Sequence, residues 1–454
     1  MGTSFMILSI RNTVVLVFTL VSGVLFCQEM GRREEGRGFG QEMIQRERTG
    51  NQIVFFEVHY ILTDSTVHKV EALYRVRHDF FTFVRKVQEN KEIFTANTEA
   101  SVEILDSAGG SVTRQIKEME LESETNAVQE LRKSYLQGKM SFHLPSGKYT
   151  VLFNIEDKES KRVMPDVRRP LEIPFPKKNN YSPLIPVMSA QQNDSSYRSF
   201  NLNGDVEFSK NFGFLFVSPI DEFTKATYSV KRLSPDEEEQ ITVIDTVVQC
   251  KAYPSSSLST MEKNGELYFV IEPAPHSVVY YIPVDGITLK QGRYKIDVTF
   301  TDSVKATANF AARWLDMPAV LNNLDYAIYP LQHILTKDDY SELNSGSRSS
   351  RIEKFEKFWR KKDPTPETAY NEVMAEFYRR VDYSITAFRT LKETNGSLTD
   401  RGKIYILYGK PTFIERSLEP GRSPREVWKY ENVKKTFVFE DRSKQGNYRL
   451  AESK

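Results

Sequence analysis

Cysteine is nearly absent from this 454-residue sequence, which holds only Cys27 and Cys250. That excludes the disulfide framework of small secreted domains. Histidine is sparse too. His59, His68, His78, His143, His276 and His333 form neither an HExxH nor a pair at helical spacing, so the usual zinc signatures are missing. No GxSxG elbow and no Walker loop occurs. Gly36, Gly38 and Gly40 (GRGFG) follow no strand pattern and make no dinucleotide fingerprint. Net charge is lacking in either direction, at +1 with 62 basic and 61 acidic residues. Such a balance provides no footprint for nucleic acid and no polybasic membrane contact. One long uncharged run exists, Thr13 to Phe26 (TVVLVFTLVSGVLF), and it is shorter than the roughly 20 residues a spanning helix needs.

That run follows the positive Arg11 and has the length of a signal-peptide core. Residues 1–27 therefore read as a secretory signal, with Gln28 starting the mature chain. Two other fates fit the run: an uncleaved anchor over Phe5 to Phe26, and lipid attachment at Cys27. The expected location is the periplasm, with outer-membrane association through Cys27 or an extracellular place as alternatives. Residues 28–50 mix Gly, Arg and Glu with little apolar content and read as a disordered tether. No membrane span is expected in the mature chain.

From Gln52 the pattern becomes period two. Ile53 to Tyr60, Val70 to Val76, Phe80 to Val87, Ala100 to Leu105, Met140 to Leu144 and Tyr149 to Ile155 read as strands. They predict a β-sandwich of immunoglobulin-like size over 51–175. The charged stretch Glu118 to Gln137 is open between a helix and a long insertion. Pro165, Pro170, Pro174 and Pro176, with Lys177 to Asn180, form either a last strand plus connector or a domain boundary. A second β-sandwich is expected over 181–312, from Val206 to Phe208, Gly213 to Val217, Ala226 to Leu233, Gln240 to Val248, Glu266 to Ile271, Val278 to Pro283 and Arg293 to Phe300. Cys250 ends the apolar alternation Ile241, Val243, Val247 and is expected to be a buried, inert thiol.

The two units share a match. Leu144 to Asp157 (LPSGKYTVLFNIED) aligns with Leu289 to Asp302 (LKQGRYKIDVTFTD), with Leu, Gly, Tyr and Asp identical. A Tyr opening a late strand is the place of the corner tyrosine, whose hydroxyl ties the strand to nearby backbone. Tyr149 and Tyr294 are thus expected to be structural.

After Ala311 the period becomes helical. Ala319 to Leu335, Ser350 to Lys361 and Tyr370 to Phe388 predict helices, with Tyr340 to Ser350 a polar loop. Thr365 and Pro366 are expected to start the long helix and Asn395-Gly396 to end the helical region. Lys403 to Tyr408, Thr412 to Arg416, Glu426 to Tyr430 and Thr436 to Glu440 read as strands, with Gly409-Lys410-Pro411 turning between the first two. The fold class expected is multidomain: two tandem immunoglobulin-like β-sandwiches, then a helical plus antiparallel-β module of α+β type.

The last region carries the specific motifs. Phe358 to Pro366 (FWRKKDPTP), Asn371-Glu372, Glu376 to Val381 (EFYRRV), Gly396 to Ile406 (GSLTDRGKIYI), Tyr408 to Pro411 (YGKP), Trp428 to Tyr430, Phe437 to Phe439 and Gly446 to Leu450 keep order and spacing. Residues 315–452 resemble the GWxTD domain, a carboxy-terminal module of exported bacterial proteins with no established biochemical function. In the naming motif Gly396, Thr399 and Asp400 match, and Ser397 stands where the family has Trp. The resemblance implies a preceding β-rich region. Thr399, Asp400 and Gly402 suit a polar turn. Glu376, Arg379, Arg380, Asp400 and Arg401 are expected to form a charged cluster joining helix to turn, and Trp359, Trp428 and Tyr408 to be core. The leading expectation is a non-enzymatic envelope protein, whose partner is another envelope protein. The alternative is a ligand-binding or hydrolytic module using Glu376, Arg379, Asp400, Arg401 and Tyr408. No catalytic, cofactor or metal residue is assigned.

Overall fold

The computed structural model describes residues 52–453, except 64–65, 89–90, 165, 176–180, 189–194, 219–222, 235–239 and 302–303. The expected signal (1–27), the tether (28–50), most of the proline-rich connector and Asp302 lie outside the described residues. The chain is mostly β, with several antiparallel sheets and a few helices. It divides into two compact units, one of Gln52–Asp316 with Glu367–Tyr370, the other of Met317–Pro366 and the chain from Asn371 onward.

The first unit opens with β1 (Val54–Ile61), β2 (Val67–Arg77), β3 (Val84–Gln88), β4 (Lys91–Leu105), β5 (Ser111–Ser123), β6 (Tyr135–Pro145), β7 (Gly147–Asp157), β8 (Arg162–Val163) and β9 (Val167–Ile173). The order β1-β2-β6 makes a three-stranded sheet, and the other six make a second sheet around β4 and β7. Alternation decides the packing. Val151, Phe153 and Ile155 of β7 are buried against Phe56, Tyr74 and Phe142. The Phe153 ring stacks on both Phe56 and Tyr74, with centroids 5.0 Å apart. Glu118 to Gln137 is neither a long helix nor an insertion. Its first part finishes the edge strand β5, whose largely exposed side chains explain the charge, and only α1 (Val128–Leu131) is helical. Of Phe80 to Val87, only β3 is strand; His78–Phe80 is a 3-10 turn.

The unit continues with β10 (Ile185–Met188), β11 (Ser196–Arg198), β12 (Val206–Glu207), β13 (Phe212–Ser218), β14 (Lys225–Leu233), β15 (Gln240–Gln249), β16 (Lys251–Lys263), β17 (Glu266–Val284), β18 (Gly292–Thr301) and β19 (Val304–Arg313). One sheet runs β10-β13-β17-β11 with β16 on β17; another runs β12-β19-β18-β14-β15. The sequence predicts two strands over 266–283, but β17 is one strand. Ala274 to Ser277 bulge out of its pairing with β16, which accommodates Pro275 and the positive φ of His276. Ile241, Val243 and Val247 are exposed on β15, while Ile244, Val248 and Cys250 turn to the core. Cys250 is thus half-buried, one face away from where the alternation placed it.

Every residue of β13 is buried, because both faces of its sheet are covered. Phe212, Phe214 and Phe216 pack against Tyr294, Ile296, Val298 and Phe310 of the β12–β19 sheet. Leu215 and Val217 share the opposite cluster with Ile61 and Leu73 of the first sheet. The four sheets therefore stack face on face, and this is why residues 52–316 form one unit. The interface between the β1-β2-β6 and β13 sheets is partly polar. Glu71 is fully buried there, ion-paired with Lys69 Nζ at 2.9 Å and accepting from the Ser141 hydroxyl at 2.6 Å.

The loop Asn201–Asp205 (NLNGD) ties two of the sheets together. Asn201 Nδ2 donates to the Tyr74 carbonyl at 2.7 Å. Asn203 Oδ1 accepts from the Phe56 N–H at 2.7 Å, and the Gly204 N–H donates to Glu57 at 2.7 Å. Asp205 accepts from the Ala311 N–H at 2.7 Å and from Arg313. Asn201, Asn203 and Gly204 all have positive φ (51°, 63° and 81°), a region these residue types enter most readily.

Tyr149 and Tyr294 occupy matching places at the start of β7 and β18. Each hydroxyl donates to the carbonyl four residues upstream, Pro145 at 3.0 Å and Lys290 at 2.5 Å. The internal match is therefore a shared tyrosine corner.

The second unit begins with a 3-10 turn, then α2 (Leu324–Ile328), α3 (Lys337–Leu343), α4 (Arg348–Arg360), α5 (Glu372–Ala387) and α6 (Asp400–Tyr408), and ends in the sheet β20 (Phe413–Ser417), β21 (Arg425–Tyr430), β22 (Lys435–Glu440), β23 (Arg449–Ser453). Several expectations change. The polar stretch Tyr340 to Ser350 is partly α3, started by Thr336, whose hydroxyl accepts the Asp339 N–H. Thr365 does not cap the long helix; Asn371 does, accepting from the Met374 N–H at 2.8 Å. The Thr365 hydroxyl instead donates to the Glu372 carboxylate at 2.8 Å. Lys403 to Tyr408 is helical, so Asn395-Gly396 does not end the helical region. Ala375, Phe377, Tyr378, Val381 and Ile385 are buried along α5, with Phe377, Val381 and Ile385 each contributing about 1.5–3 kcal/mol.

Candidate functional site

The motif residues converge on a junction between α5 and α6. Gly396 lies against the end of α5. A Cβ there would sit 2.2 Å from the Ser384 carbonyl oxygen and 2.5 Å from the Arg389 nitrogen. Gly402, in α6, lies over Gly396 in turn; its Cβ would sit 2.0 Å from the Gly396 carbonyl oxygen. Only glycine allows these backbones so close. Thr399 locks the contact. Its hydroxyl donates to the Gly396 carbonyl at 2.8 Å and accepts the Gly402 N–H at 3.1 Å, capping α6. The polar turn expected around Thr399 is thus a helix cap.

Ser397 is buried, with its hydroxyl turned back to Asn395 Oδ1 at 2.6 Å. Its carbonyl meets His333 Nε2 at 3.0 Å. Burial holds the His333 imidazole below its ordinary pKa, so the neutral ring donates this hydrogen bond.

The expected charge cluster divides between the two ends of α6. At the start, Asp400 accepts the Leu450 N–H at 2.8 Å and lies 3.9 Å from Arg449, fixing β23. Its charge also suits the first turn of a helix. Arg401 lies 3.4 Å from Glu426 and 4.3 Å from the Tyr448 ring centroid. At the other end, Glu376 pairs with Arg380 at 2.7 Å, and Arg380 reaches the Leu407 carbonyl at 3.5 Å. Tyr408 accepts from Lys435 Nζ at 2.9 Å and packs against Phe437 and Tyr430. Arg379 is exposed on α5. The two ends of the nine-residue α6 lie roughly 12 Å apart along the helix. Glu376 and Asp400 are therefore not a carboxylate pair acting on one bond.

The residue that sequence reasoning missed is Glu426. Only 4% exposed, it accepts from Arg401, from Arg416 at 2.9 Å and from the Trp428 indole N–H at 3.2 Å. An acid in an otherwise alternating strand (Arg-Glu-Val-Trp-Lys-Tyr), two residues from a buried Trp on the same face, was the available signal. Trp359 and Trp428 are core, as expected; the Trp359 indole donates to the Tyr378 hydroxyl at 3.3 Å. Among the described residues, no group of three His, Cys, Asp or Glu side chains is placed to hold a metal. No described helix is long and apolar enough to cross a membrane.

The family model of the GWxTD domain matches residues 294–454. The chain carries a GWxTD domain. The match begins at Tyr294, earlier than the 315 read from the motifs, and so takes in most of the β18–β19 hairpin of the first unit. No curated protein matches this sequence. The domain is one of unknown function, and the GWxTD motif of this member is the backbone junction just described, with Ser397 inside it.

Proposed function

We propose that this GWxTD-domain protein is an exported cell-envelope protein that acts by binding another envelope protein and not by catalysis. The observation that carries this reading is how the charged residues of the GWxTD domain are engaged. Asp400 anchors a strand, Arg401 serves Glu426, and Glu376 serves Arg380 at a helix end. Groups committed in this way have structural roles, the commoner use of ion-pair networks. The uncharged run over residues 13–26 behind Arg11 supports export. We further read the paired sheets of the first unit as two immunoglobulin-like sandwiches, each with its tyrosine corner, serving as spacers that carry the GWxTD domain.

The test has two parts. N-terminal sequencing and mass spectrometry of the protein from its native cells should find the mature chain starting at Gln28; an uncut cytoplasmic chain defeats the export reading. A photo-crosslinker placed at exposed Arg379 should capture one defined envelope protein from intact cells. If a small molecule copurifies instead and is turned over, with turnover lost in Asp400→Asn, the non-catalytic reading fails.

A further inference from the structure

The strand β5 is an edge left open. It pairs with β4 from Thr113 to Ser123 without a bulge, and among the described residues no strand pairs with its other side. Such an edge offers a row of backbone N–H and C=O groups to a further strand. Two other edges of the first unit are blunted. β9 contains Pro170, and the ladder of β15 shifts register at Val230–Lys231. β5 has no proline. Its Met119 and Leu121 turn to the core, while Arg114, Ile116 and Glu118 stand exposed on the opposite face.

Charges on an edge usually keep other strands away. Here their order decides which strand is admitted. Glu118 stands opposite Glu99, and Glu99 opposite Glu156, so three glutamates form a row across β5, β4 and β7. Lys158 serves this row, 2.5 Å from Glu99 and 3.7 Å from Glu156, and acts on Glu118 across a longer gap. It balances one of the three charges, so the row stays net negative where it meets the open edge. Glu120, two residues on, is matched by Lys86 at 2.5 Å. Arg114 lies at the other end of the exposed face, opposite Glu103.

We propose that β5 pairs with β5 of a second copy of this chain, antiparallel about a two-fold axis at Ile116. In this register Arg114 of each copy stands opposite Glu118 of the other, Gln115 opposite Lys117, and Ile116 opposite itself. Opposite charges so placed attract, and like charges directly opposite repel. Neighbouring registers lose the match. An axis at Lys117 sets Lys117 against itself, one at Glu118 sets Glu118 against itself, and one at Gln115 brings no opposite charges together. The contact is isologous, so each favourable pair occurs twice. The inference rests on residues 84–158 and is independent of the envelope reading.

Sedimentation velocity of the purified protein over a concentration series tests it. A monomer–dimer equilibrium is expected, weakened by added salt. Arg114→Glu sets a glutamate against Glu118 at two places and should weaken the dimer about thirtyfold, as should Glu118→Arg. Mixed together, the two variants complement each other and should form a heterodimer as tight as the parent. Both positions are exposed, so folding is not at stake. In a Cys27→Ser, Cys250→Ser background, a short bis-maleimide should crosslink Ile116→Cys chains into dimers and leave Glu122→Cys chains single, which fixes the register. The proposal is overturned if the protein is monomeric at about 100 µM or if Arg114→Glu leaves the dimer unchanged. It is also overturned if the mixed variants stay apart, or if Glu122→Cys crosslinks as readily as Ile116→Cys. Capture of a different protein by a monomer, through a photo-crosslinker at Ile116, overturns it too and assigns the edge to a foreign strand.

Discussion

Replacing Gly396 by alanine is the sharpest test of the view that the GWxTD motif is a packing junction. The added methyl meets the Ser384 carbonyl oxygen at 2.2 Å, the Arg389 nitrogen at 2.5 Å and the Phe388 carbonyl carbon at 2.6 Å. All three are backbone atoms, so no side-chain rotation relieves the contact. Overpacking against rigid neighbours costs about 1–3 kcal/mol, and a wholly backbone clash belongs at the top of that range. For a unit of this size, about 3 kcal/mol lowers the melting temperature by about 10 °C. Trp359 and Trp428 are buried in the same unit, at 3% and 1% exposure, and their emission reports the transition. Gly421→Ala is the control. Its Cβ meets nothing within 4 Å, and only the positive φ of 82° is penalised, at about 1 kcal/mol. The expected order is a large drop for Gly396→Ala and a small one for Gly421→Ala. If Gly396→Ala melts within about 2 °C of the parent, the junction is not what the glycine serves.

Glu426→Gln keeps the shape but leaves Arg401, whose side chain is 14% exposed, without its charge partner; chemical denaturation should show a loss of about 3 kcal/mol. Arg416→Gln, at 68% exposure on the same carboxylate, should lose less than about 1 kcal/mol. The His333 imidazole is held below its ordinary pKa by burial. The unfolded chain therefore takes up a proton near pH 6.5 that the folded chain refuses, so stability is complete above that pH and declines as pH falls below it. Tryptophan-detected melts from pH 7.5 to 5 should show the decline, and His333→Gln should flatten it. Burial pushes the Cys250 thiol up to about 11. In a Cys27→Ser background its reaction with a disulfide reagent at pH 8 should be roughly a hundredfold slower than that of an unburied thiol.

Much of the architecture is legible from periodicity. Strands such as β7, β14 and β18 announce themselves because one face is more deeply buried than the other. β10 and β11 are too short to set a period, and β16 (Lys-Ala-Tyr-Pro-Ser-Ser-Ser-Leu) is too polar. The sequence of α6 reads as a strand because Ile404, Tyr405 and Ile406 are β-favouring residues; the Thr399 cap and the Gly396–Gly402 contact override that preference. In the candidate site, the charged residues were identified but not their partners. Asp400 answers to Leu450, 50 positions away, and Arg401 to Glu426. Such pairings depend on where β21 and β23 are placed, which no local pattern encodes. The NLNGD loop shows the same limit: its composition marks a turn, while its role of tying two sheets depends on Tyr74, Phe56 and Ala311.

The double covering of the β13 sheet has a consequence during synthesis. The sheet formed by β1, β2 and β6 is complete once residue 145 has emerged, yet the face bearing Ile61 and Leu73 waits for strands as late as β17. At ribosomal speed that interval is roughly ten seconds. A bare apolar face would invite misassociation between nascent chains. Glu57, His59 and Glu71 lie on this same face and are buried only afterwards. Their charge and polarity keep the waiting surface compatible with water until its covering strands arrive. The buried acids thus protect the nascent chain before the fold is finished: Glu71 already has Lys69 and Ser141 within its own sheet, and Glu57 takes up the Gly204 N–H only when that later loop arrives.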